Sequence, residues 1–280
     1  MSEHKVTVEG GSSVRLLTAR KYCDRDIVVE ATGGGGGGGI ACDDIASAGI
    51  TGDIELSVTS IASMAFSNNA GITSLSAPNV TSIGTYGFYN STGMKSVNLP
   101  SVKTISTYCL SGMKITELSL PECTSIGDRS FNGCKNIAKL ELPKCKTIGA
   151  SCLSNILITE LVLPECTSIG NSSLSGLTEC TYVDLPKCTK LITYALRNSA
   201  NLKTLILRSE TLCALSGYAL NSTKIWNGTG YVYVPRALIE SYQTATNWAT
   251  IYSKNANVFR ALEDYTVDGT IIGELDESKV

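Results

Sequence analysis

The sequence predicts a solenoid of stacked coils, each coil contributing one short β-strand and one short helical or irregular turn. Two observations carry this prediction. Prolines fall at 78, 100, 121, 143, 164 and 186, spaced 22, 21, 22, 21 and 22 residues apart. Around each lies one pattern, I-x-x-L-x-L-P-x-C/V-T-S-I-G, followed a few residues later by Phe or Leu. Residues 109–127 (CLSGMKITELSLPECTSIG) and 152–170 (CLSNILITELVLPECTSIG) differ at four positions and lie 43 residues apart. A 21–22-residue unit cannot bury a core alone; stacked, its apolar positions become ladders shared by successive coils.

Four segments follow from this phasing. Residues 1–32 read as a small β module, with KVTVEG, SVRLLTA and RDIVVEA as short strands and turns at Gly10-Gly11 and Asp24. So few strands make a poor core, so the module is expected to attach to a partner or to oligomerise. Glycines 33–39 read as a linker with a reach of roughly 15 Å r.m.s. as a coil. The run matches G-x-G-x-x-G only trivially, since ACDDIASAG after it is too short for the helix a nucleotide site needs. A packed polyglycine helix is the alternative, and it requires partners for its backbone groups. Residues 40–225 hold about eight coils, the first (50–66) lacking its proline and the last (202–220) carrying Arg208 in the proline slot. Residues 226–280 read as an α+β cap. It comprises a strand at Tyr231–Val234, helical spacing over 236–252 with Leu238, Ile239, Tyr242, Ala245, Ala249 and Tyr252 on its apolar face, and a hairpin over 266–272 at Asp268-Gly269. Trp226 and Trp248 both read as core of this cap.

Within a coil, the leucine pair before each proline (Leu118 and Leu120, Leu161 and Leu163) has the period-2 spacing of a strand with one face buried. Proline ends the strand where its missing N–H does least harm. Ile83, Ile105, Ile126, Ile148, Ile169 and Leu191 form a second ladder; Phe88, Leu110, Phe131, Leu153, Leu174 and Leu196 form another. Cys123, Cys145, Cys166 and Cys188 occupy the slot held by Val58, Val80 and Val102 in earlier coils, and Cys109 and Cys152 share a slot with Gly87, Ser130, Ser173 and Ala195. Thiols that alternate with valine and small residues are expected to be buried and free, although neighbouring rungs about 4.8 Å apart would admit a disulfide.

Composition removes several function classes. Hydrophobic residues make up 43% and charged residues 17%, the composition of a folded chain. A net charge of -2 supplies no drive toward nucleic acid or an anionic membrane. One histidine, His4, excludes Ser-His-Asp triads and multi-His metal sites. The eleven cysteines include no C-x-x-C pair. No catalytic, metal-binding or cofactor-binding residues are expected. No signal peptide is seen at the N-terminus and no membrane-length apolar run occurs, so synthesis in a bacterial cytoplasm, with thiols reduced, is expected. Charge alternates on the outward strand positions. Glu117, Lys139, Glu160 and Tyr182 are the candidate ligand-facing residues; cross-strand stabilisation is the competing role for the charged ones.

The unit L-x-L-P-x-C/V-T-S-I-G-x-x-x-F/L-x-x-C, seen from Leu120-Pro121 to Cys134, resembles the BspA-like (Treponema-type) leucine-rich repeat over roughly residues 50–225. The resemblance implies a right-handed leucine-rich-repeat solenoid. It also implies a non-enzymatic recognition role, the family serving in bacterial surface adhesion and occurring in phage- and prophage-encoded proteins. Residues 19–29 (ARKYCDRDIVV) are similar to an N-terminal module of phage tail-associated proteins. YVYVP at 231–235, ATNW at 245–248 and ALEDY at 261–265 resemble caps that accompany such repeats. The reading these imply is a phage or prophage tail-tip, receptor-binding component. It would contact a host cell-surface protein or glycan, join other tail proteins through residues 1–32, and form a homo-oligomer such as a trimer. It would bind no nucleic acid and enter no membrane. The alternative is a bacterial surface adhesin for host matrix proteins.

Overall fold

The computed structural model describes residues 51–56 and 58–265 in full, together with the backbone of the strands Lys5–Glu9, Ile27–Glu30, Gly39–Ile40, Thr266–Val267 and Thr270–Ile271. The strand expected in SVRLLTA, the turns at Gly10-Gly11 and Asp24, glycines 33–38 and the Asp268-Gly269 dipeptide lie outside the described residues. The fold is a parallel β-solenoid of about seven coils, close to the eight expected from the repeat. It divides into two compact units, Met1–Leu142 and Pro143–Val280.

Each coil contributes two strands. The first is the expected leucine strand. In the first unit Gly52–Leu56, Ile72–Ser76 and Ser96–Asn98 pair in parallel, and Glu117–Ser119 pairs with Lys139–Glu141 as a separate two-stranded sheet. In the second unit Glu160–Val162, Tyr182–Asp184 and Thr204–Ile206 form one ladder. The second strand, two residues long, lies at T-S-I and was not expected from the sequence. Ser60–Ile61, Ser82–Ile83, Thr104–Ile105 and Ser125–Ile126 pair in succession in the first unit, and Thr147–Ile148 through Ala214–Leu215 do so in the second. Gly39, the last residue of the glycine run, pairs with Ser60 in this second ladder.

The ladders are the core. Leu120, Leu163 and Leu185 are at most 1% exposed, as are Phe88, Leu110, Phe131, Leu153 and Leu174. The nine described cysteines are all free and buried. Several use the weak donor that valine lacks: the thiols of Cys123, Cys166 and Cys188 donate to the carbonyls of Ser125, Ser168 and Lys190, two residues on, at 3.4–3.5 Å. Burial pushes the thiols of Cys123 and Cys180 up to about 11 and those of Cys134 and Cys166 up to about 12.

The turn that carries the Phe/Leu ladder is irregular; among the described residues, helices occur only in the cap. Each turn holds left-handed residues. One slot carries Met64, Tyr86, Tyr108, Arg129, Ser151, Ser172, Tyr194 and Tyr218, at φ between 51° and 64°. Four residues on, the other carries Asn68, Asn90, Gly112, Gly133, Asn155, Gly176, Asn198 and Ser222. Asn and Gly suit that conformation; Tyr and Arg do not, at roughly 1 kcal/mol or more each. Hydrogen bonds to the next coil hold them there, Tyr86 N donating to Thr107 O at 3.1 Å and Tyr108 N to Asp128 O at 2.9 Å.

The C-terminal segment continues the sheet. Tyr231–Val234 pairs in parallel with Thr204–Ile206, and Phe259–Ala261 pairs in parallel with Tyr231–Val234. The expected long helix is instead a 3-10 turn at Arg236–Leu238 and two short helices, Ile239–Thr244 and Trp248–Tyr252. Asn247 breaks it: its φ is 66° and its side-chain amide donates to Leu215 O at 2.6 Å. The buried residues are Tyr242, Trp248 and Ile251 rather than the whole predicted stripe. Trp248 Nε1 donates to Cys213 O at 2.7 Å, and Cys213 N donates to the Tyr242 hydroxyl at 2.9 Å. The strands that flank Asp268-Gly269 pair antiparallel, Val267 opposite Thr270, as a hairpin requires.

Candidate ligand-binding face

A strand whose leucines point inward sends the alternate side chains outward, so each leucine strand offers outward positions to a ligand. Lysine, glutamate, serine and tyrosine at those positions stand on a backbone held by parallel strand pairing.

In the first unit, the sequence candidates Glu117 and Lys139 are exposed and directly opposite one another. The ion pair of Lys139 runs along its own strand to Glu141 at 2.9 Å rather than across to Glu117. That bond raises the Lys139 ammonium and lowers the Glu141 carboxyl. A cleft of about 340 Å³ opens on this face, lined among others by Lys95, Val97, Asn98, Glu117, Leu118 and Lys139. It lies where Ser96–Asn98 and Glu117–Ser119 belong to different sheets. Val97 is half-buried where its ladder neighbour Leu75 is fully buried, so the cleft has an apolar wall as well as charged ones.

In the second unit, Glu160 and Tyr182 are also directly opposite one another, and the row continues in register through Thr204 to Tyr231. The adjacent row runs Val162, Asp184, Ile206, Tyr233, with Arg260 opposite Tyr233. Glu160 is exposed and Val162 is 45% exposed, whereas Tyr182 is half-buried. The reason is a buried ion pair on this outward face: Arg208 Nη2 meets Asp184 Oδ2 at 2.8 Å, and the two side chains are only 9% and 5% exposed. The Tyr182 hydroxyl donates to the same carboxylate at 3.2 Å. Burial first, then the Asp184 charge, push the Tyr182 phenol up. Tyr265 packs on Tyr233 at 4.4 Å between ring centroids, and the Arg260 guanidinium lies 4.5 Å from the Tyr231 ring centre. Four tyrosines and two arginines therefore share this face. Sequence reasoning found only Tyr182. The available signal was Arg208, which stands in the proline slot of the last coil.

A second surface missed from the sequence lies on the turns of the first unit. Tyr86 and Tyr108 stack at 5.0 Å, Tyr89 meets both edge-on, and Arg129 donates to the Tyr108 hydroxyl at 2.7 Å. The signal was the common position of Tyr86, Tyr108 and Arg129, two residues before Phe88, Leu110 and Phe131. Trp226 departs from expectation as well: Trp248 is core, but Trp226 is half-buried, with the Lys254 ammonium 3.3 Å from its ring centre. Among the described residues no group of His, Cys, Asp and Glu could hold a metal, and no helix is long and apolar enough to cross a membrane. His4 lies outside them.

The family model for the BspA type leucine rich repeat region matches residues 59–175 and 103–226, with six copies of the repeat. The chain belongs to the BspA-type leucine-rich repeat family. No curated protein matches it significantly. Among solved structures, this BspA-type chain is similar to the Treponema pallidum leucine-rich repeat protein TpLRR at 18% identity and a TM-score of 0.43, over 69% of this chain and 83% of that one. It is also similar to a leucine-rich cell surface protein of Faecalibacterium prausnitzii A2-165, at 13% identity and a TM-score of 0.35, over 84% and 82% of the two chains. The pneumococcal vaccine antigen PcpA aligns at 12% identity and a TM-score of 0.34, over 95% of this chain and 90% of its own. In this BspA-type solenoid the outward strand residues offer phenol hydroxyls, carboxylates, ammonium and guanidinium groups on a rigid ladder.

Proposed function

We propose that this BspA-type leucine-rich-repeat protein is a non-enzymatic recognition protein whose strand face binds a protein on a cell surface. The observation that carries the reading is the in-register row Glu160, Tyr182, Thr204, Tyr231, flanked by Tyr233, Arg208 and Arg260. Tyrosine and arginine dominate interface energetics because each brings large contact area and directed hydrogen bonds at modest entropic cost. In the first unit, the exposed Glu117 and Lys139 offer charge selectivity rather than affinity.

In its finer form the reading is a phage or prophage tail-tip component that meets a host receptor. The similarity of residues 19–29 to a tail-associated module supports it, with residues 1–32 joining other tail proteins or a trimer. A bacterial surface adhesin for matrix proteins is the second reading, supported by the adhesive role that the repeat resemblance implies. The purified protein is expected to bind host cells, and Tyr231→Ala to weaken that binding about 30-fold, a hot-spot effect of roughly 2 kcal/mol. Mass spectrometry of purified particles separates the two forms, since only the first places the chain in the virion. Binding to no bacterial envelope and no matrix protein, or binding untouched by substitutions along the row, would overturn the strand-face reading.

A further inference from the structure

At one turn position the last coil carries a glycine where earlier coils carry a side chain. The residue after Ile-Gly, Ile-Ser or Leu-Ile is Thr85, Thr107, Asp128, Ala150, Asn171 and Thr193 in successive coils, and Gly217 in the last. A Cβ placed on Gly217 would meet nothing within 4 Å, whereas one on Gly170 would meet backbone at 2.5 Å. The φ of Gly217 is not left-handed, so no conformational demand explains the glycine. Gly217 lines a cavity of about 220 Å³ between this turn and the helix Trp248–Tyr252.

The lining is chemically uniform. Its polar groups are the hydroxyls of Ser216, Tyr218 and Thr250 and the amides of Asn221 and Asn247; its apolar surface comes from aliphatic side chains and the Trp226 indole. No lysine, arginine, aspartate or glutamate lines it. Tyr218, 62% exposed, stands at the rim and stacks on Tyr194 at 5.8 Å. Lys254 sits over one face of the indole and fixes the ring. Asn221 Oδ1 is shielded from solvent and accepts no hydrogen bond among the described residues.

We propose that this cavity binds one neutral sugar ring, a terminal hexose or N-acetylhexosamine of a glycan. A pyranose presents C–H groups on its faces and hydroxyls around its edge, which matches an indole and aliphatic floor rimmed by amides and hydroxyls. An anionic ligand such as a phosphate or sialic acid finds no basic group in the lining, and a wholly apolar one would strip water from the hydroxyls and amides that line it. The site is built by the last coil and the cap, and shares no residue with the Tyr182–Tyr231 row. It therefore stands or falls separately from the strand-face reading.

The two tryptophans provide the test. In an NMR titration of the full chain with glucose, galactose, mannose and N-acetylglucosamine at millimolar concentration, the Trp226 indole N–H signal moves with at least one sugar. The Trp248 signal stays fixed, because its N–H is held by Cys213 O. Inorganic phosphate moves neither. Gly217→Thr, which restores the residue of earlier coils, abolishes the response by filling the cavity, and an unchanged Trp248 signal certifies that the variant folds. The proposal is overturned if no sugar moves the Trp226 signal, if both indoles move together, or if Gly217→Thr binds as well as the parent.

Discussion

At the residue scale, equivalent positions in a repeat act as internal controls. Ser130 and Ser173 occupy one slot and are both fully buried. Ser130 Oγ lies 2.7 Å from Gly127 O and 2.8 Å from Ser106 O, while Ser173 Oγ has no partner among the described residues. A satisfied buried hydroxyl contributes about 1 kcal/mol, and an unsatisfied one is a cost. Ser130→Ala should therefore lower stability by about 1 kcal/mol, and Ser173→Ala should leave it unchanged or raise it by a comparable amount. Urea unfolding midpoints decide the point; equal losses in the two variants would show that the local bonding differs from this description. The slot was visible in the sequence, but which serine finds a carbonyl depends on backbone placement that spacing does not encode. Asp184 and Arg208 teach the same lesson. The departure from proline at 208 is legible, but its bond to a carboxylate one coil earlier needs the register of the strands.

At the scale of the element, the thiol ladder has a pH signature. Cys123, Cys134, Cys166 and Cys180 have native-state values of about 11 to 12 against 9.0 for an unburied thiol, burial being the leading cause. Below pH 9 the thiols are protonated in both states and their contribution to stability is fully present. As pH rises from 9 toward the native values, the unfolded chain releases these protons and the native one does not, so stability is lost. The loss at pH 10 is about 1 kcal/mol for each such thiol. Comparing urea midpoints at pH 8 and pH 10 tests this, and Cys123→Val should remove one thiol's share of the drop. A Cys123→Val protein with the parental pH dependence would contradict the assignment. Valine is the informative replacement because Val58, Val80 and Val102 already fill this slot. The leucine, isoleucine, phenylalanine and cysteine ladders could all be read from the sequence, since the period of 21–22 residues puts chemically equal positions in contact. The two-residue strands at T-S-I could not, being too short to show an alternation. Nor could the interruption between Ser96–Asn98 and Glu117–Ser119, nor the helix break at Asn247, which follows from a tertiary bond to Leu215.

At the scale of the whole molecule, a parallel solenoid must cover its end strands, because an open ladder edge is a template for another chain. In the second unit, Tyr231–Val234 and Phe259–Ala261 extend the ladder beyond the last coil. In the first unit, Lys5–Glu9 lies in parallel register on Gly52–Leu56, Val6 opposite Ile54, and Ile27–Glu30 lies on its other side. KVTVE carries no trace of the repeat, which is why sequence reasoning took residues 1–32 for a module set apart by glycines. The pairing makes a prediction opposite to that of an attachment module. Deleting residues 1–32 leaves the edge of Gly52–Leu56 uncovered, with Ile54 and Leu56 behind it in the core at 4% and 2% exposure. The truncated chain should melt at a lower temperature and self-associate as concentration rises, measured by thermal unfolding and by light scattering after size exclusion. If residues 1–32 instead serve only to oligomerise or attach the protein, the deletion dissociates an assembly and leaves the melting temperature of the solenoid unchanged. The two outcomes move mass in opposite directions. One truncated protein therefore decides whether the N-terminal strands close the fold or reach beyond it.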